Sequence, residues 1–358
     1  MVAVPNPTTA AAGAKILAST WNADVRDADT YVVENLGGLG SRNVLFNSHF
    51  DVWQRGTSFS LTSSAVAQYT ADRWCSRRSG TTGATVSRQT GPSGQTYSMR
   101  VQRDSANANT TAIETYQALT TLNSVRLAGR TCQLLLTLKA GVDFSATSSL
   151  VTVKVVTGTG TDQAAATAWT GTADALSTTQ AITTTSTTYT FDAISIPSNA
   201  TQIKVYVAYT PTGTAGANDW IEIEAAQLTA GKATGFERLL YEDTLRRCQA
   251  YYYQWGPFGG SRYTSVGWCY SSTVLYAIFK FPVSMRTSPA VWFSAANDFT
   301  ATTSSAAYNS TNVTGSHVTP DQCLITCTVA SGLTAGQAAM FSNDQDTTNA
   351  AIYATAEL

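Results

Sequence analysis

The sequence predicts an all-β protein led by one N-terminal helix, and three observations carry that prediction. Apolar residues alternate with polar ones in two-residue steps along many short runs, the pattern of strands half-buried in antiparallel sheets. Polar turns separate these runs at the spacing of a sandwich. The composition is 43% hydrophobic but only 13% charged, against about a quarter charged in ordinary soluble domains. Thr, Ser, Ala, Gln and Asn replace the missing charge; Thr favours strands, and Ser and Asn favour turns. A surface that relies little on ion pairs resists high salt and proteases, as extracellular adhesive β proteins do. The 358 residues suffice for two or three domains with cores of their own.

Residues 1–12 are rich in Pro, Thr and Ala and aperiodic, an extended arm. Over 13–34, Ile16, Leu17, Trp21, Val25, Ala28 and Val32 recur at three and four, which predicts a helix with one apolar stripe. Leu36-Gly37-Gly38-Leu39-Gly40 stops it and forms a hinge. Such a helix needs a partner for its stripe, so Leu17, Trp21 and Val25 are the candidate attachment residues. From Val44 the pattern is β. Tyr97, Met99 and Val101 alternate with Ser98, Arg100 and Gln102, and Leu134, Leu136 and Leu138 follow the same rule. Val151, Val153 and Val155, then Ile203, Val205 and Val207, then Ile221 and Ile223, continue it. The Thr-rich stretch 157–188 reads as loops and short edge strands. Glu242 to Tyr253 reads as a short helix with Leu245, Cys248 and Tyr252 on one side. A second β region follows, with Ala277, Phe279 and Phe281 opposing Tyr276, Ile278 and Lys280, and with Cys323, Ile325, Cys327 and Val329 on one face. Residues 351–358 form a last strand.

The net charge of −1 gives no basic field for a phosphate backbone, so nucleic acid is not an expected partner. No apolar run approaches the roughly 20 residues that span a bilayer, so membrane insertion is not expected either. The first residues lack a basic n-region and an apolar h-region, so folding in the cytoplasm is expected. Six cysteines occur without a CxxC pair. Cys323 and Cys327, on one strand face about 13 Å apart at roughly 3.3 Å per residue, are too distant for a disulfide without a bend. Buried apolar thiols are the expectation for all six.

Catalytic chemistry is sparse. The two histidines, His49 and His317, neighbour no nucleophile motif, so no Ser-His-Asp arrangement is expected. No ligand spacing supports zinc, and no cofactor motif occurs. Glu222 and Glu224 share a strand face, about 6.5–7 Å apart, near the separation of inverting glycosidases; a solvated outer sandwich face is the expected reading. Asp344 and Asp346 fit turn chemistry better than a calcium site. Aromatics are denser: Tyr253, Trp255, Trp268 and Tyr270 lie in one crowded span. Such rings either stack on the apolar faces of sugars, as in lectins, or pack in a core or subunit interface. Trp53 and Trp74 read as packing residues. Arg55, Arg73, Arg77 and Arg78 cluster near them and are expected to pair with Asp51 and Asp72 rather than contact anionic glycans.

Segments at 43–74, at 225–290 and at the end of the sequence carry a family resemblance. Asn43-Val44-Leu45-Phe46-Asn47-Ser48-His49-Phe50-Asp51-Val52-Trp53-Gln54-Arg55-Gly56, with Tyr69-Thr70-Ala71-Asp72-Arg73-Trp74, resembles the opening of a jelly-roll module of bacteriophage tail fibres. Ala226-Gln227-Leu228-Thr229-Ala230-Gly231 through Phe236-Glu237-Arg238 resembles its closing strand and exit. Arg246-Arg247-Cys248-Gln249-Ala250-Tyr251-Tyr252, Phe281-Pro282-Val283-Ser284-Met285-Arg286 and the terminal Ala356-Glu357-Leu358 are similar to the helix and C-terminal domain of such fibres. The glutamate-rich exit usual there is softened here to Gln227-Leu228-Thr229, and no collagen-like or coiled-coil shaft is present.

The resemblance implies a virion protein, usually a homotrimer, whose jelly roll is similar to carbohydrate-binding modules. The resulting expectation is an N-terminal arm and helix over 1–40 for virion attachment, a jelly-roll β-sandwich over 41–240, and a smaller C-terminal β-sandwich over 241–358. The chain would bind tail, baseplate or capsid proteins at one end and a host-surface glycan at the other, without catalysis. A capsid-attached head fibre or decoration protein and a polysaccharide depolymerase are the alternatives.

Overall fold

The computed structural model describes residues 43–61, 67–233, 235–258, 262–344 and 349–358. The expected helix over 13–34, with Leu17, Trp21 and Val25, lies outside the described residues. The chain divides into two compact units, one closing at Leu240 and the other spanning Tyr241–Glu357.

The first unit contains β1 (Ser58–Ser60), β2 (Gln68–Tyr69), β3 (Cys75–Arg78), β4 (Ala84–Thr90), β5 (Tyr97–Arg103) and β6 (Ile113–Leu119). A short helix, α1 (Thr121–Ser124), precedes β7 (Thr131–Ala140), β8 (Leu150–Gly158), β9 (Ala173–Ala181), β10 (Thr187–Ser195), β11 (Gln202–Tyr209) and β12 (Trp220–Ala230). They form two six-stranded sheets, ordered β1-β4-β5-β12-β7-β10 and β2-β3-β6-β11-β8-β9. Every pairing is antiparallel, as the alternation requires. Met99, Val101, Leu136, Ile221 and Ile223 from the first sheet, and Val153, Ile203 and Val205 from the second, are at most 1% exposed. Burying each such side chain stabilises by about 1.5–3 kcal/mol.

The opening and closing segments of the family resemblance meet in space. The Val44 amide donates to Leu228 O at 3.0 Å, and the Ala226 amide donates to Ser48 O at 3.0 Å. Asn43 Nδ2 donates to Ala226 O while its Oδ1 accepts from the amides of Leu45 and Leu228. The opening segment thus runs beside β12 beyond Ile223, where the register with β5 ends. Asn47, Phe50 and Arg73 adopt positive φ of 47°, 56° and 70°, costly conformations that persist only when their surroundings over-determine them. Here the Asn47 side chain bonds both the amide and the carbonyl of Val52, as well as Asp72 O. Trp74 Nε1 donates to Phe46 O at 3.2 Å, and Trp53 Nε1 to Phe50 O at 2.6 Å. Both tryptophans are buried, and they pack as the sequence suggests.

The stretch 157–188 departs from expectation. It contains β9, nine residues long, and ends at the start of the equally long β10. Each is the edge strand of its sheet. With one side facing water, these strands need no apolar alternation, and β-branched Thr supplies the extended preference.

The second unit opens with α2 (Tyr241–Gln249), whose first turn carries Glu242 and Asp243 and whose last carries Arg246 and Arg247, matching the helix dipole. The helix ends four residues before the expected Tyr253, because Tyr252 already starts a strand. The strands are β13 (Tyr252–Phe258), β14 (Tyr263–Cys269), β15 (Val274–Lys280), β16 (Ala290–Phe293) and β17 (Phe299–Thr302). Then follow β18 (Ala307–Ser316), β19 (Gln322–Val329), β20 (Ala338–Asn343) and β21 (Ala350–Thr355). The expected sandwich is replaced by a closed barrel, β14-β15-β19-β18-β17-β20, accompanied by a three-stranded sheet, β13-β21-β16. Closure satisfies edges that a small sandwich would leave open. Leu275, Cys323, Ile325, Cys327, Phe299 and Phe341 fill the interior at 0% exposure. All six cysteines are buried free thiols, and burial pushes the Cys323 thiol up to about 11.

Candidate functional site: an aromatic strip on the C-terminal barrel

Strands β20, β14 and β15 are neighbours on the barrel wall, and their outward residues fall in register. Trp268 pairs with Tyr276 on one side and Ala338 on the other, and Val266 pairs with Met340. The inward partners Cys269, Ala277, Ala339 and Phe341 are buried. The outward ones are not: Val266 is 74% exposed, Trp268 44% and Tyr270 63%. Ile278 and Met340 are exposed as well. Tyr276 contacts both other rings, its plane nearly perpendicular to Trp268 at 5.8 Å between centroids and tilted against Tyr270 at 4.8 Å.

The backbone fixes this arrangement. Trp268 and Tyr270 flank Cys269, where β14 turns into the hairpin, and the Tyr270 amide donates to Val274 O at 2.8 Å. A Cβ on Gly267 would meet Tyr276 O at 2.0 Å, so the two strands approach this closely only because residue 267 has no side chain. Thr326, half-buried on β19, pairs with Tyr276, and Ser271 and Thr273 lie in the adjoining hairpin turn. The result is a group of rings with hydroxyl groups at its margin, suited to stacking on the apolar face of a sugar while hydrogen-bonding its hydroxyls.

The structure separates the four expected recognition residues. Trp268 and Tyr270 belong to the strip. Tyr253 and Trp255 do not: both pack against the core of the unit. Tyr253 stacks on Phe279 at 6.2 Å and Trp255 meets Phe258 at 4.9 Å, and burial raises the Tyr253 phenol. Sequence reading missed Val266 and Met340, whose outward direction follows from the pairing of β14 with β20 and from nothing local.

On the first unit, the expectation of a solvated face at Glu222 and Glu224 is overturned, since they are 4% and 3% exposed. They lie on a central strand, where Arg100 from β5 reaches Glu222 and Ser186, just before β10, reaches Glu224. Arg100 Nε and Nη2 donate to Glu222 Oε1 at 2.9 and 2.6 Å, and the same guanidinium lies 4.0 Å over Trp220. Glu224 accepts from Ser186 Oγ; burial raises its carboxyl, the Ser186 bond opposes this, and Glu222 adds to it. Each carboxylate thus has its own structural tie.

Of the expected pairs, that of Arg55 with Asp72 is present, and Arg77 takes Glu114. Arg55 lies 3.9 Å from Asp72, but Asp51 is 3.7 Å from Arg238 and Arg77 is 2.5 Å from Glu114. Arg73 is buried, donates to Ala118 O at 2.9 Å and lies over the Phe46 ring. His49 is buried edge-on to Phe236, and burial, aided by Arg238, lowers it to about 4. His317 is exposed and contacts Ser316. Among the described residues, no group of three His, Cys, Asp or Glu side chains could hold a metal ion. Among them, too, no helix is long and apolar enough to cross a membrane.

No protein-family model matches the chain, and no curated protein matches it. Solved structures do. A family 4 carbohydrate-binding module is 16% identical, covers 51% of this chain and 97% of its own, and has a TM-score of 0.30. A xylan-binding domain of family 22 is 18% identical, covers 51% and 99%, and scores 0.30. The enzymatically active domain of tailspike protein 4 of bacteriophage CBA120 is 11% identical, covers 47% of this chain and 22% of its own, and scores 0.31. Similarity at this level carries nothing about what this chain binds.

Proposed function

We propose that the chain is a non-catalytic structural protein of a bacteriophage particle that holds a host-surface glycan on its C-terminal barrel. The observation that carries the reading is the outward group of Trp268, Tyr270 and Tyr276. Large rings exposed on a rigid barrel contribute nothing to its core, and contiguous exposed apolar surface marks binding sites. The particle role rests on the family-like segments at 43–74 and 225–290. It assigns residues 1–40 to attachment on tail, baseplate or capsid proteins, and the whole to a homotrimer. Each site is weak alone, and three copies raise the avidity by about 10²–10⁴-fold. Glu222 and Glu224 have structural roles in this reading, not those of a glycosidase pair.

The test is a bacterial-glycan array probed with the whole chain and with Trp268→Ala and Tyr270→Ala. Either substitution is expected to lower binding about tenfold, as truncated hot-spot rings do. The melting temperature should not change, because both rings are exposed. Unchanged binding with both rings removed would refute the assignment. Release of reducing sugar from a bound polysaccharide, abolished in Glu222→Gln/Glu224→Gln, would establish a depolymerase instead.

A further inference from the structure

A second row of side chains runs beside the rings of the barrel strip, and it is aliphatic. Gly267 pairs with Ala277, and one step further along the two strands stand Val266 and Ile278. Ser265 Oγ donates to Ile278 O, which holds β14 against β15 at this point. Val266 pairs with Met340 on β20, and Ile278 pairs with Leu324 on β19. Met340, Val266, Ile278 and Leu324 therefore cross four strands in line. Val266 is 74% exposed, Ile278 43% and Met340 40%, and Leu324 is half-buried. The neighbouring row is Ala338, Trp268, Tyr276 and Thr326. Residues two apart on a strand lie about 6.7 Å from each other on one side of the sheet, so rings and aliphatic side chains form one face. Neither row holds an ionic side chain; Lys280, opposite Gln322, belongs to the row beyond Ile278.

We infer that the aliphatic row sets which saccharide the strip takes: a neutral sugar unit that carries a methyl group, either on a 6-deoxy carbon or in an acetyl group. This assignment rests on the strip being a glycan site. Rings accept the apolar face of a sugar. Val, Ile and Leu offer neither a π face nor a hydrogen-bond partner, and the Met thioether is only a weak acceptor. A hydroxyl laid on such a row gives up water without a replacement bond, whereas a methyl group gains from the same contact. With no ionic group in either row, an anionic sugar finds no counter-charge, and the face complements an uncharged one. The extent of the face suits an oligosaccharide rather than a protein. Four strands about 4.8 Å apart and two rows about 6.7 Å apart cover roughly 250 Å², against about 800 Å² per partner in a stable protein interface.

The experiment is calorimetric titration of the whole chain with matched neutral oligosaccharides. D-rhamno- and D-manno-oligosaccharides of one linkage differ by the 6-deoxy methyl, and chito- and cello-oligosaccharides differ by the acetamido group. An oligogalacturonate is the anionic control. The variants are Val266→Thr/Ile278→Thr, which keeps both positions β-branched, and Trp268→Ala/Tyr270→Ala. In the wild type the methyl-bearing member of at least one pair should bind about fourfold tighter per methyl in contact, the equivalent of one buried CH₂ group. Val266→Thr/Ile278→Thr should erase that preference while leaving the affinity for the other member and the melting unchanged. The ring variant should weaken every neutral probe. Preference within the first pair identifies a deoxy methyl, and within the second an acetyl group. Equal binding within both pairs, lost in the ring variant, would overturn this assignment and leave the glycan site standing. Failure of every neutral probe, or binding that the ring variant does not weaken, would sink the site and the assignment together. A preference that survives Val266→Thr/Ile278→Thr, or binding of the oligogalacturonate alone, would overturn the assignment. Self-association in sedimentation, lost in Val266→Thr/Ile278→Thr, would give the row to a second copy of the chain and overturn it as well.

Discussion

Arg103 ends β5 inside the first unit, and its side chain and that of Asp219 are both 0% exposed. Nη1 lies 3.2 Å from Asp219 Oδ2 and also reaches Thr212 O and Ser145 Oγ. Nη2 donates to Asn107 O and Gly213 O, each at 2.6 Å. Asp219 in turn accepts from the Ser145 amide and hydroxyl. One guanidinium therefore ties together three loops, around 104–109, 143–146 and 212–219. Arg103→Met keeps the stem and removes the fork. It leaves the Asp219 carboxylate buried without its cation and strips a donor from three carbonyls. Removing one member of a buried pair costs about 3–5 kcal/mol, a large part of a domain stability of about 5–15 kcal/mol. For a unit of roughly 200 residues that corresponds to a fall of about 6–20 °C in its melting temperature. Scanning calorimetry of the whole chain should show one transition displaced downward by that amount. The double variant Arg103→Met/Asp219→Leu should recover part of the loss, since neither charge is then stranded. A shift of Arg103→Met below about 2 °C, which corresponds to less than roughly 1 kcal/mol for a unit of this size, would refute the inference that this cation holds the loops.

Two further outcomes are expected. The folded unit keeps His49 neutral, at about 4 rather than 6.5, so the unfolded chain binds the extra proton between those values. Stability is then full above pH 6.5 and declines as pH falls toward 4, by up to about 3 kcal/mol; His49→Gln should flatten that part of a melting-versus-pH curve, and an unchanged slope would refute the assignment. Deleting residues 1–40 should leave the β-sheet circular dichroism and the melting of the chain unaltered while abolishing its incorporation into particles, whereas deleting 1–48 removes the segment beside β12 and should unfold the first unit; a folded, stable 1–48 deletion would show that the segment is dispensable.

Parity along a strand was legible wherever one side was purely apolar. Leu134, Leu136 and Leu138, or Cys323, Ile325 and Cys327, announce their inward face because the opposite parity of each strand holds a single apolar residue, Leu135 or Leu324, among polar ones. The opening and closing segments of the first unit were legible for a different reason: their Asn, Trp and Gly residues serve local backbone geometry that few other residues satisfy. Burial of Glu222 was not legible, because it is Arg100, 122 positions away, that covers it. Barrel closure was not legible either, since the pairing of Val266 with Met340 is set by the whole circuit of strands.

The recognition residues failed for a sharper reason. In β13 both parities carry large side chains, Tyr253 and Trp255 on one and Tyr252 and Gln254 on the other, so alternation cannot say which side is the core. Only partners distant in the chain decide it. Phe279 accepts Tyr253 as a stacking partner inside, while Tyr353 and Trp292 align with Gln254 outside. An aromatic on a strand therefore signals a surface site only when its cross-strand neighbours are also outward. Trp268 beside Tyr276 meets that condition, and Trp255, set opposite the buried Ile352, does not.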